Sequence, residues 1–282
     1  MNVELPNKYK LKKSDIAIYT VSILACLVAL IVVVIMQVMG SDVSNKFFGT
    51  NKAKKMSEEE ELKLRTDFDN MFTNTFSGEV IDSDKIDENQ DFVYTGYQNQ
   101  DVVSGNYTLN VNIPCINIQS SILEEHNQEI DTIFKQKTNE ILNSKGNQIV
   151  YTVEYVSFVE DNVLTVVIRS NLKEGNSAQQ VSVYTYNYDL LNKREMSLQD
   201  MIGKLSLNTN DVQNFVKKEI EQEEQNSKSL KELGYNIYVR DSKDKMYIIE
   251  NSKQFFTLNG KLYIVYAYGN SSLTSEMDLI II

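Results

Sequence analysis

A chain of 282 residues with 39 acidic against 28 basic residues has a formal net charge of −11, which disfavours general binding to nucleic acid or anionic lipid, because both are polyanions. One histidine and two cysteines leave no material for a multi-histidine metal centre, a cysteine cluster or a disulfide-stapled fold. The length accommodates one or two ordinary domains.

Residues 1–15 form a polar tail in which Lys8, Lys10, Lys12 and Lys13 outweigh Glu4 and Asp15. Ile16–Met39 then runs without a charged residue, long enough at a rise of about 1.5 Å per residue to cross a hydrocarbon core about 30 Å thick. The expectation is a single transmembrane helix that tethers everything after it. Two readings compete. A cleaved signal peptide would want an A-x-A-like exit, and VMGSDVS lacks one; lipidation at Cys26 of Ile23-Leu24-Ala25-Cys26 would want a polar continuation, yet mostly apolar residues follow. Lys46, Lys52, Lys54 and Lys55 on the far side match the four near-side lysines in number but lie farther from the span, so the positive-inside bias places the N-terminus in the cytoplasm and the rest outside. Cys26 lies in the span and Cys115 well beyond it, which precludes an intramolecular pair. Ala25 and Ala29 form a small-xxx-small pair, and the oligomeric state stays open. Richness in Asn, Lys, Ile and Tyr without Trp matches the A+T-rich coding of Gram-positive bacteria.

Residues 40–105 read as a juxtamembrane connector. Within it Met56–Phe76 is expected to be an amphipathic helix, with Ser57 before Glu58–Glu61 and with Leu64, Phe68, Met71 and Phe72 at helical spacing. Gly78–Gly105 reads as an acidic linker; its Asp82, Asp84 and Asp87 hint at a calcium loop but lack the required glycine and glutamate. Residues 106–192 form a first α+β subdomain. A strand from Tyr107 shifts phase at Pro114, as a proline-marked bulge would. A helix follows with Ser121 and Glu124 as a capping box and an apolar stripe from Ile122 to Leu142. Strands are expected at Gln148–Phe158, Val163–Arg169 and Gln180–Tyr188, with turns at Asp161-Asn162 and Gly175–Ser177. Residues 193–282 form a second subdomain: a short helical turn at Ser197–Ile202, a helix over Asp211–Leu233 with a possible break in the polar stretch Glu219–Ser227, strands at Met246–Glu250 and Phe255–Tyr266 with a type I′ turn at Asn259-Gly260, and a last strand at Met277–Ile282, whose isoleucines must pair in a sheet or form an aggregation edge. The fold class is α+β: a single N-terminal transmembrane helix, then an exported antiparallel-sheet domain with two long helices.

Candidate chemistry is sparse. His126, on or beside the buried stripe of its helix, reads as a packing residue. No nucleophile elbow, phosphate loop, dinucleotide fingerprint or zinc motif occurs, so no catalytic, metal or cofactor-binding residue is assigned. Alternation sends Tyr184, Tyr186 and Tyr188 to one side of their strand and Val181, Val183 and Thr185 to the other. Two readings of the tyrosines stand side by side: an aromatic binding face, or a face covered by helices and water.

The run Tyr107–Phe134, the run Tyr184–Ile202 with its L-x-D-hydrophobic turn, and the hairpin and final strand of Phe255–Ile282 together resemble the exported domain pair, a domain of unknown function family, of RsiV-type anti-sigma factors and PdaC-type peptidoglycan deacetylases. The resemblance spans Tyr107–Ile282. Lys173–Ser177 departs from it, standing where relatives often carry a histidine-bearing Gly-Gly-Ala-His-like segment. Against that resemblance the chain is expected to lack the separate catalytic domain of the deacetylases, and a sigma-binding domain is not expected in the residues before the span. The resemblance therefore implies a sensor module, which in RsiV-type proteins binds lysozyme. The expected function is a non-enzymatic, membrane-anchored extracellular protein that binds a cationic protein such as lysozyme, or peptidoglycan. The alternatives are a cell-wall hydrolase or deacetylase working through carboxylates, and a structural subunit of a membrane complex.

Overall fold

Period-2 apolar runs build the strands, 3.6-period stripes build the helices, and the two segregate into layers. The computed structural model describes residues 56–72, 76, 79–83, 86, 90–146, 148–269 and 274–282. The expected span Ile16–Met39, Cys26, the flanking lysines, Asp84 and Asp87 lie outside them. Among the described residues no helix is long and apolar enough to cross a membrane.

Helix α1, Glu58–Asn70, begins at Ser57, whose hydroxyl accepts the Glu60 amide at 3.2 Å, and carries four glutamates in its first turn, where the helix dipole favours negative charge. Its Phe68, and Phe72 just beyond its end, are buried.

The large sheet has seven strands in chain order: β1 Ile81–Asp82, β2 Val93–Val103, β3 Tyr107–Ile116, β4 Ile149–Glu160, β5 Val163–Glu174, β6 Gln180–Asp189 and β7 Arg194–Glu195. Between β3 and β4 runs α2, as Ser121–Ile130, a π turn Asp131–Lys135 and Gln136–Leu142. This crossover makes β3 and β4 parallel, so the sheet is antiparallel-dominated rather than purely antiparallel. The linker expected over Gly78–Gly105 contains β2, paired along its length with β3. Its alternation is hidden because the α2-facing positions Asn99 and Asp101 are polar: Asn99 donates to the Tyr97 hydroxyl at 3.3 Å and Asp101 accepts from Tyr107 at 2.8 Å. The expected bulge sits on β2 at Gly96, not on β3 at Pro114; a Cβ at Gly96 would come within 2.8 Å of the Cys115 Cβ. The helix cap is Ser120, not Ser121, and no side-chain cap forms; the Ser120 hydroxyl instead accepts from Tyr188 at 3.4 Å.

Helices α3, Leu198–Lys204, and α4, Thr209–Glu232, lead into a three-stranded antiparallel sheet of β8 Phe255–Leu258, β9 Lys261–Ala267 and β10 Met277–Ile281, in the order β10-β9-β8. Asn259 and Gly260 have φ of 52° and 70°, as a two-residue I′ hairpin requires. α4 does not break at Glu219–Ser227, because a following loop replaces apolar packing there: the Ser227 hydroxyl accepts from the Arg240 amide at 3.4 Å and Glu224 from the Ser242 amide at 2.9 Å. The strand expected at Met246–Glu250 is a pair of 3₁₀ turns, Lys245–Tyr247 and Ile249–Asn251. Buried Tyr247 and Ile249 flank exposed Ile248, which mimics a strand in sequence.

Three apolar layers result. Leu123, Ile130, Phe134 and Ile141 of α2 pack on Leu109, Val111, Val153, Val166 and Ile168 of the large sheet. On the opposite face Val167, Val181 and Val183 meet Phe256, Val265, Leu279 and Ile281 of the small sheet, together with Phe68 of α1 and Phe72 just after it. The far face of the small sheet packs on Met201, Ile202, Val212, Val216 and Ile220.

Candidate functional site

Alternation along β6 turns Tyr184, Tyr186 and Tyr188 toward α2 and Val181 and Val183 toward the small sheet. Tyr188 is buried and ends at Ser120. Tyr184 meets Phe134 edge-on, with ring centres 5.4 Å apart. Of the three, Tyr184 and Tyr186 reach a groove of about 780 Å³.

Four distant segments enclose that groove: His126 and Glu129 on α2, Tyr184–Tyr186 on β6, Arg194–Asp200 through β7 into α3, and Ile249–Phe255 leading into β8. The floor is fixed by side chains. Gln254 Oε1 accepts the Thr185 amide at 2.7 Å, the Thr185 hydroxyl accepts the Phe255 amide at 2.9 Å, and Asn187 Nδ2 donates to the Phe255 carbonyl at 2.7 Å. One wall is a helix start: Ser197 and Asp200 form a reciprocal capping box on α3, and Arg194 spans both Asp200 oxygens at 2.9 and 2.8 Å. Arg194, and then Ser197, hold the Asp200 carboxyl well below the usual carboxylate range, so this pair is ionised and mutually occupied.

The remaining acids are differently placed. The side chain of His126, 15% exposed, lies on the Tyr186 ring with centres 4.8 Å apart, and its Nε2 is 3.9 Å from Glu195 Oε1. Tyr186 donates to Glu129 at 3.3 Å; burial, and after it the Glu129 charge, pushes the phenol far up, and the same two causes raise Tyr184. Both phenols therefore stay protonated donors. Among the described residues no lysine or arginine pairs with Glu129, Glu195 or Glu250, all exposed at the rim. Four carboxylates line the groove against Arg194 and Lys253, and Arg194 is already engaged. Such a groove suits a cationic, hydrogen-bonding group. The Ser197 hydroxyl is tied to Asp200, and among the described residues no cluster of His, Cys, Asp or Glu is arranged to hold a metal ion.

A second polar cluster lies where the loop after α4 meets the small sheet. Arg240, 6% exposed, donates to Asp278 through Nε at 3.1 Å and Nη2 at 2.8 Å, and through Nη1 to Glu276 at 2.5 Å. Tyr268 donates to Asp278, and the Tyr247 and Tyr268 hydroxyls share a hydrogen bond of 2.8 Å. Burial pulls the Arg240 guanidinium down, but Asp278 and Glu276 more than offset it and hold it charged. Every member has a partner, as a buried charge requires.

Sequence reasoning reached Tyr184 and Tyr186 and placed His126 on its helix. It missed Glu129, Glu195 and Glu250, because nothing in a run such as Lys193–Ser197 signals which distant carboxylates will share a rim.

No family model and no curated protein matches the chain. Solved structures resemble it, among them two of one family. One is a DUF3298 family protein from Pseudomonas aeruginosa PAO1, at 11% identity and a TM-score of 0.37, covering 67% of this chain and 85% of that one. The other is a DUF3298 family member from Bacteroides fragilis NCTC 9343, at 12% identity and a TM-score of 0.33, covering 62% and 80% respectively.

Proposed function

We propose that the chain is a non-enzymatic, single-span membrane protein whose exported domain binds a cationic protein, with lysozyme the first candidate. The observation that carries this reading is the acidic groove: Glu129, Glu195 and Glu250 stand at its rim without a lysine or arginine partner among the described residues, above phenol donors held protonated by burial. A basic side chain entering it would meet carboxylates not neutralised by a lysine or arginine among the described residues, and the charge of −11 would speed encounter with a basic partner. The resemblance of Tyr107–Ile282 to the sensor module of RsiV-type anti-sigma factors supports the same partner class. The span Ile16–Met39 sets the location, with the N-terminus in the cytoplasm and the domain outside.

The test is titration of the full chain with hen lysozyme by calorimetry. The reading requires binding that weakens as salt rises from about 0.05 to 0.5 M, across the range in which the Debye length falls below the span of a groove. Absence of heat at about 0.1 M salt, together with retention of the chain on insoluble peptidoglycan, would move the partner to the cell wall. Release of muropeptides during that incubation would replace the binding reading by an enzymatic one.

A further inference from the structure

The chain's single histidine lines the acidic groove. Its ring packs against that of Tyr186 with the planes at 50°, and its Nε2 lies 3.9 Å from Glu195 Oε1. Glu129 follows His126 three residues along α2, on the same helical face. The Tyr186 hydroxyl donates to Glu129, so one phenol carries the imidazole on its ring and a rim carboxylate at its tip. His126 therefore stands within reach of two of the carboxylates that a cationic visitor would use.

The titratable and charged groups that line the groove with it come from every neighbouring element: Glu129 on α2, Tyr184 and Tyr186 on β6, Arg194 and Glu195 on β7, Asp200 on α3, and Glu250 and Lys253 before β8. Arg194 and Asp200 are engaged with each other and stay ionised. Burial, and after it the charge of Glu129, keeps both phenols protonated. Imidazole is the side-chain type whose ordinary titration falls between about pH 5 and 8. A proton on His126 places a cation 3.9 Å from Glu195, in the same negative potential that would draw a visitor.

We infer that His126 is a proton-operated competitor for the groove: uncharged, it leaves Glu195 and Glu129 to a cationic group of the partner, and protonated, it neutralises Glu195 from within and releases that group. This regulation rests on the binding reading given above. Coupling between two ligands is reciprocal, so a cation seated in the groove must weaken proton binding at His126 by the factor by which the proton weakens the cation.

The experiment uses the full chain, wild type and His126→Gln, with two probes, hen lysozyme and the histidine-free peptide acetyl-Arg-Ala-Arg-amide, at constant salt. Comparing the two chains cancels the titration of the probes and of the groove carboxylates. Between about pH 8 and about pH 5.5 the wild type should lose at least about fivefold more affinity than His126→Gln. A second reading needs no variant: at about pH 6 the single imidazole resonance of the wild type should move toward its unprotonated position as the peptide is added. Equal pH dependence in both chains, or an imidazole resonance that does not move when the peptide binds, would overturn the competition and leave the binding reading standing. Peptide binding that depends on pH through His126, with no lysozyme bound at either pH, would support the competition and overturn lysozyme as partner. Failure of both probes to bind at about pH 8 would overturn both.

Discussion

The Arg240 cluster and the α2–β8 groove are built from the same residue types, arginine, carboxylate and tyrosine, yet differ in what their charges face. Around Arg240 the carboxylates of Asp278 and Glu276 point inward and meet a guanidinium. In the groove Glu129, Glu195 and Glu250 stand at an exposed rim with no arginine or lysine of the described residues upon them. A buried charge must be paired inside the fold, whereas a rim carboxylate costs the fold little and keeps its charge for a visitor. The first cluster should therefore control stability and the second binding.

The largest effect should come from breaking the buried cluster on one side. Arg240→Met strands Asp278 and Glu276 without their cation and should cost about 3–5 kcal/mol, read as a drop in urea midpoint. Adding Asp278→Leu should recover part of that loss, since an apolar pair removes the stranded charge. Next in size is the groove floor: Asn187→Ala leaves the Phe255 carbonyl and the Thr165 hydroxyl unpartnered by Asn187, at about 1–3 kcal/mol. If the floor orders the groove, the same change should also weaken lysozyme binding. Smaller again is Ser197→Ala, which removes the α3 cap for about 1 kcal/mol.

Acid should act in a defined window. Lys228, and then Ser242, hold the Glu224 carboxyl down to about 2, against an ordinary value of 4.5. A carboxyl depressed in the folded state stabilises the fold fully above its unfolded value and loses that contribution as pH falls toward 2. The Ser242 amide resonance should titrate with a midpoint near 2, and a midpoint near 4.5 would detach Glu224 from the loop.

Much of the fold was legible because local chemistry and tertiary demand agree. Ser57 caps α1, Asp161 and Asn162 take the positive φ of a two-residue turn, and Asn259-Gly260 does the same between β8 and β9. Legibility failed where a side chain finds its partner only in the folded chain. Asn99 and Asp101 in β2 read as linker residues because tyrosine hydroxyls satisfy them only once the sheet exists. The N-cap is Ser120 rather than the expected Ser121, and its hydroxyl accepts from Tyr188 of β6 instead of capping the helix. Tyr247 and Ile249 alternate like a strand but turn as 3₁₀. The candidate groove failed for the same reason on a larger scale: Tyr184 and Tyr186 were visible as a stripe, but His126, Glu195 and Glu250 become neighbours only through the packing of α2 and of the segment before β8 against β6.

The most direct test of the division between the two clusters is a triple substitution at the groove rim, Glu129→Gln with Glu195→Gln and Glu250→Gln, measured for lysozyme affinity and for urea midpoint in the same preparation. The expected result is at least about a tenfold loss of affinity with stability held within about 0.5 kcal/mol. Unchanged affinity, or a loss of stability as large as that of Arg240→Met, would contradict it.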